Sequence, residues 1–198
     1  MAYRYVVIER EYGSGGTGIG RRLAAEMGWE CYGREILEMA SQEMHIPVEQ
    51  MEHLEESATN SLLYSLSIMA KVQHGEMPEV SKADKLKYVE HKLIRRIADE
   101  KPAVFVGRCA GAALYDRKDV LKVFIHGEIE DRRKRAVQEY GILEHKAADV
   151  LRQMDRRRGS FYTANTGFKW KDLSHYHLTL DSSGLGIENC VRTIKSLL

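Results

Sequence analysis

Short apolar runs alternate with stretches of helical periodicity along the chain. YRYVVIE, Tyr3 to Glu9, is β-branched and aromatic and reads as a strand. Ile19, Leu23, Ala24 and Met27 recur at helical spacing, and Gly28 stops them. WECY, Trp29 to Tyr32, reads as a short second strand, and Ile36, Leu37, Ala40 and Met44 begin a helix that Pro47 limits. From about Ser41 to Ala83 the pattern is helical but loose. Its apolar face is Leu62, Leu63, Leu66, Met69 and Val72, and KVQHGEMPEVSKAD is its loop. Leu86, Val89, Leu93, Ile94 and Ile97 make an amphipathic helix. AVFVG and VLKVFIH are continuous apolar runs of strand length, the pattern of strands covered on both faces. Two helical faces follow, one on Ile129, Arg132, Arg133, Ala136, Val137 and Tyr140, the other on Ala147, Val150, Leu151, Met154 and Arg158. YHLTLD is the last strand, and Ile187, Cys190, Val191, Ile194 and Leu198 form a final helix.

Strands alternating with helices predict an α/β fold, a parallel sheet with helices on both faces. Ligands of such sheets bind beyond the carboxyl ends of the strands. Gly13, Gly107, His126 and Asp181 each follow a predicted strand, which puts them on one rim. The 198 residues fit one domain with an ample core. A formal net charge of +1 supplies no global basic field, so nucleic acid is not an expected partner. The three cysteines are far apart and odd in number, which points to a reduced, cytoplasmic setting. No apolar run approaches the ~20 residues of a membrane span, and no signal peptide is visible.

The densest chemical signal is GSGGTGIG, Gly13 to Gly20, directly after the first strand. Glycines let backbone N–H groups turn inward around an anion, and the helix that follows offers its positive end. Two frames fit. G-x-G-x-x-G on Gly13, Gly15 and Gly18 is a dinucleotide frame, and it wants an acid after the second strand, where Gly33 and Arg34 stand. G-x-x-x-x-G on Gly13 and Gly18 is a phosphate-loop frame; it wants Lys and a hydroxyl next, where Ile19 and Gly20 stand. Arginines elsewhere favour phosphate. Arg108 follows a core strand, Arg132 and Arg135 lie at i, i+3, and so do Asp155 and Arg158. Arginine grips phosphate oxygens bidentately, and phosphoryl transfer needs positioning and charge neutralisation more than covalent chemistry.

EREYGSGGTGIGRRLA, VGRCAGAAL and KVFIHGEIEDRRKRA with MDRRRGSFYTANTGFKWKDLSHYHLTLDSS together resemble the cytidylate kinase-like proteins among the P-loop nucleoside monophosphate kinases. The resemblance spans most of the chain and weakens between about Ser41 and Lys85. It implies a three-layer P-loop NTPase-type fold with a five-stranded parallel sheet. It also implies a helical acceptor-binding segment near residues 34–100 and an arginine-bearing lid near residues 127–172, all within one domain. ATP phosphates would lie on Gly13, Ser14, Gly15, Gly16, Thr17, Gly18, Ile19 and Gly20, with Mg2+ as cofactor. Arg108, Asp155 and Arg158 would hold a nucleoside monophosphate or a related small acceptor, and Arg132 and Arg135 would be the lid arginines. Cytidine monophosphate is the default acceptor on resemblance alone, and a homo-oligomer is compatible with it. This chain departs from the pattern at Ile19 (lysine), at Cys109 (the aspartate of G-R-D) and at Gly33 (an acid).

Arg10 is the first candidate to replace the lysine and Arg21 the second. Glu9 and Glu11 beside Arg10 would hold it or a hydrated magnesium. Two further readings stand beside the kinase. One is a nucleotide-sensing module that keeps the anion site without the chemistry. The other is an NADP-binding oxidoreductase with Arg34 on the 2′-phosphate. His175 and His177, on one side of the last strand, lack a third ligand for zinc. FYTANTGFKW reads as a loop packed near the lid.

Overall fold

The computed structural model describes residues 2–51 and 81–198. β1 (Tyr5–Arg10), β2 (Glu30–Tyr32), β3 (Ala103–Val106), β4 (Val120–His126) and β5 (Leu178–Asp181) form one parallel sheet in the order β2-β3-β1-β4-β5. The helices are α1 (Gly16–Met27), α2 (Arg34–Met44), α3 (Lys82–Glu100), α4 (Ala110–Ala113), α5 (Ile129–Tyr140), α6 (Glu144–Thr166) and α7 (Ser182–Lys195).

The period-two alternation of β1 sorts its side chains between two cores. Val6 and Ile8 join Ile19, Leu23 and Ala24 of α1 and Cys190, Val191 and Ile194 of α7. Tyr5 and Val7 join Ile36 of α2, Ile94, Ile97 and Ala98 of α3, and Ala110 and Ala113 of α4. Both faces are therefore covered, which is why the central strands read as unbroken apolar runs. Gly28 ends α1 in the left-handed conformation at φ 66°, as its position after Met27 predicts.

Three expectations change, and a fourth is not tested. Ser81 N-caps α3 through the Asp84 N–H, so Lys82 to Asp84 form its first turn and do not belong to the preceding loop. Phe161 to Thr166 are the last turns of α6, and only the following residues leave the helix. His175 belongs to a 3-10 turn and pairs with Asp172, while His177 accepts from Lys122 N–H and stacks on Tyr3. Neither histidine lies on β5, and among the described residues no cluster of His, Cys, Asp and Glu could hold a metal ion. The face predicted on Leu62, Leu63, Leu66, Met69 and Val72, and most of its loop, lie outside the described residues.

Among the described residues no helix is long and apolar enough to cross a membrane. Gly13, Gly107, His126 and Asp181 do share the carboxyl edge of the sheet, as strand ends in a parallel sheet must.

Candidate active site

The glycine loop bridges β1 and α1. Gly13 and Gly15 hold φ of 77° and 76°, and Gly15 is the N-cap of α1. Gly13 has no alternative: a Cβ there would stand 2.7 Å from the Arg132 carbonyl oxygen. Ser14 is fully buried; its hydroxyl donates to the Glu11 carbonyl at 2.8 Å and accepts from Gly16 N–H at 3.4 Å. The N–H groups of Gly13, Gly15, Thr17 and Gly18 have no acceptor among the described residues. No acidic side chain occupies the first turn of α1. Bare donors at a helix N-terminus are an anion's place.

The helix begins three residues before the predicted lysine position. Ile19 is fully buried in the core and donates its N–H to the Gly15 carbonyl at 2.9 Å. The residue immediately after the N-capping glycine is Gly16. A Cβ built there would lie 2.6 Å from Arg10 Cβ and 3.0 Å from Arg10 Cγ. The Arg10 stem occupies the space in which a side chain at Gly16 would start. Gly16→Ala should therefore push Arg10 aside and cost about 1–3 kcal/mol by overpacking. A thermal melt measures that cost, and an unchanged melt would show that the contact is loose.

Arg10 as a whole is half-buried, yet its Nε is sealed from solvent and has no hydrogen-bond acceptor among the described residues. Burial pulls its pKa down to about 9; the Arg158 and Arg108 charges add to that, and Glu9 opposes it. Its Nη1 reaches the Gly107 turn after β3. Arg158 donates to the Arg10 carbonyl at 2.9 Å and lies over the Tyr12 ring, and its own pKa is lowered, by burial above all. Arg108 meets the buried Glu90 at 3.3 Å; it and Cys109 hold left-handed φ of 57° and 50°. Two consecutive non-glycine residues in that region are strained, a cost typical of functional turns. Arg10, Arg108 and Arg158 thus converge at the ends of β1 and β3, as the rim argument predicts. Cys109 is buried, and burial pushes its thiol well up, so it is no nucleophile.

The lid residues divide. Arg135 donates to the Gly13 carbonyl at 2.5 Å and lies against Gly15, at the edge of the loop. Arg132, expected beside it, is 5 % exposed and fully engaged. Its Nε donates to the Tyr12 carbonyl at 2.8 Å, Nη1 to Glu11 at 3.0 Å, and Nη2 to Asp155. Asp155 also accepts from Tyr12 N–H at 2.7 Å. Both side chains clamp α5 and α6 onto the loop, so in this arrangement neither faces an open site. Helical spacing put each residue on the correct face and could not show that the two faces meet.

Arg21 stands beyond the first turn of α1, exposed and 3.9 Å from Glu35, so it does not replace the lysine here. Arg34 is exposed and pairs with Glu38. Glu11 is taken by Arg132, by Lys171 and by Gly127 N–H, which leaves it no magnesium role in this arrangement. Sequence reading missed Trp170, which is buried and donates from Nε1 to Glu9 at 3.2 Å. A lone tryptophan past a helix carries no signal of its burial.

A glycine loop between the first strand and first helix of a parallel sheet, ringed by arginines, defines an α/β protein of P-loop kinase-type fold. Residues 5–184 match the cytidylate kinase-like family, and the chain belongs to that family. An uncharacterized protein from Eubacterium ventriosum ATCC 27560 superposes with TM-score 0.71 at 22% identity, over 97% of this chain and 96% of that one. Shikimate kinase from Bacteroides thetaiotaomicron gives 0.52 at 13% identity, over 98% and 96%. A sugar kinase from Janibacter sp. HTCC2649 gives 0.50 at 15% identity, over 98% and 94%. These likenesses establish the fold. No curated protein sequence matches the chain.

Proposed function

We propose that the protein is an ATP-dependent phosphotransferase in which Arg10 stands in for the phosphate-loop lysine. The carrying observation is the buried, unpaired Arg10 Nε beside four bare loop amides. In a phosphate loop the lysine follows the last glycine as the helix starts. With Gly15 in that glycine's place, Gly16 takes the lysine's position and Thr17 the hydroxyl's. The loop amides hold the donor phosphates, and Arg10 reaches up from β1 through the space that Gly16 leaves. Arg135 neutralises charge at the loop's edge, and Arg108 and Arg158 grip the acceptor side. Magnesium, if bound, would supply charge neutralisation to the donor phosphates. Such an ion needs few protein oxygens, and Thr17, the residue in the hydroxyl's position of the loop, would be the one to give an oxygen. The acceptor is a nucleotide or another small molecule, and the setting is the cytoplasm, where the three free cysteines stay reduced.

The mutual engagement of Arg132 and Asp155 favours a second reading, a nucleotide-sensing module that binds without transfer. One experiment separates them: ADP release from MgATP against a panel of nucleoside monophosphates, nucleosides and no acceptor. Phosphotransfer predicts release that depends on an acceptor. ATP-induced thermal stabilisation with no release from any acceptor would favour the sensing module.

A further inference from the structure

A cavity of about 480 Å³ opens between α3, the sheet and α6, a volume that fits a sugar- or nucleoside-sized ring. Tyr162, Tyr176, Phe168 and Asn165 give it aromatic walls with polar edges, the make-up of a site for a hydroxylated ring. Glu9 is the only carboxylate among its described lining residues. The Glu9 side chain is 6 % exposed; one oxygen accepts from Trp170, and the other has no donor among the described residues. The charges of Arg10, Arg158 and Arg108 all act on it, so Glu9 lies where the cavity meets the arginine cluster.

We infer that Glu9 is the general base of the transfer and that the acceptor is a small alcohol seated in this cavity. The inference rests on the phosphotransferase reading and names the substrate class of that site. A hydroxyl must lose a proton as it attacks phosphorus, and a carboxylate at the attacking oxygen takes it. An acceptor phosphate has no such need near neutral pH, because its oxygens are already deprotonated. In the step, the acceptor O–H bond breaks and its proton passes to Glu9. The acceptor oxygen bonds to the γ-phosphorus, the bond from that phosphorus to the bridging oxygen breaks, and ADP leaves with the electron pair. Burial raises the Glu9 pKa against the lowering pull of Arg10, which makes it a stronger base than a solvated carboxylate.

The test pairs wild type with Glu9→Gln, whose amide oxygen can still accept from Trp170. ADP release from MgATP is followed with cytidine, adenosine, ribose or glycerol, and with cytidine or adenosine 5′-monophosphate. Calorimetry gives the MgATP Kd and a melt reports folding. The expected result is release driven by an alcohol, lowered about 10²–10⁴-fold in Glu9→Gln with Kd and melting temperature unchanged. Release that survives in Glu9→Gln, with any acceptor, overturns the inference. So does release driven only by a monophosphate, or MgATP binding with no alcohol raising release. Failure of wild type to bind MgATP is a different result: it removes the phosphotransferase reading, and this inference with it.

Discussion

Arg10→Met is expected to melt no lower than wild type without nucleotide, yet to lose most of the stabilisation that MgATP brings. Among the described residues the buried Nε has no acceptor, and burial holds the group's pKa at about 9, well below the ordinary arginine range. Each unit of that displacement represents about 1.4 kcal/mol of folded-state cost. The sign follows from proton counts. From about 9 up to the ordinary arginine range the unfolded chain holds a proton that the folded chain has released, so stability rises with pH across that window. Below about 9 both states are charged and the cost is fully present. Methionine keeps an unbranched apolar stem against Gly16 and removes the charge, and with it the cost. A bound triphosphate relieves the same cost in wild type by supplying the missing partner, so the variant should bind MgATP at least 100-fold more weakly, about 2.7 kcal/mol. Arg34→Ala, on an exposed pair with Glu38, should change neither quantity. Melts with and without MgATP decide it. A lower melt for Arg10→Met with an undiminished nucleotide shift would make Arg10 a structural residue.

Arg132→Ala should be among the most damaging single changes in the chain. The buried arginine satisfies Glu11, Asp155 and the Tyr12 carbonyl at once. Truncating it leaves two carboxylates without their main counter-charge, a loss of about 3–5 kcal/mol. For a chain of this size each kcal/mol moves the melting temperature by roughly 2–4 °C. Arg135→Ala should behave oppositely, with a small change in melting but a large loss of phosphoryl transfer, because its guanidinium sits at the loop's edge. Measured together, melting and turnover separate clamp from catalyst. A well-folded Arg132→Ala that has lost only turnover would restore Arg132 to the lid role its sequence spacing suggested.

The two arginines show what was legible. RRKR on a helix after VLKVFIH announces cations near the carboxyl edge, because strand order and helical period are local properties of the chain. Which of the two meets a carboxylate depends on α6 lying against α5 and on Asp155 arriving beside Glu11, residues 144 positions apart by number. The loop frame is a similar case. Counting glycines from Gly13 puts the lysine's position at Ile19, but hydrogen bonding starts the helix at Gly16 and sends Ile19 into the core. Glycines of either frame look alike until the helix start is known.

By itself the sequence determined the five strands, most of the described helices, both faces of the sheet and the glycine loop, with Arg10 at the end of the strand before it. These follow from period, short-range sterics and the order of elements, which the chain carries within a few residues. Tertiary structure alone decided that Arg10 fills the space beside Gly16 with its Nε unpaired, that Arg132 and Asp155 clamp each other, and that Trp170 folds back onto Glu9. The first depends on how the loop folds back over the strand end, and the other two are contacts between separate segments, set by which surfaces the packed sheet brings together and by how completely it excludes water.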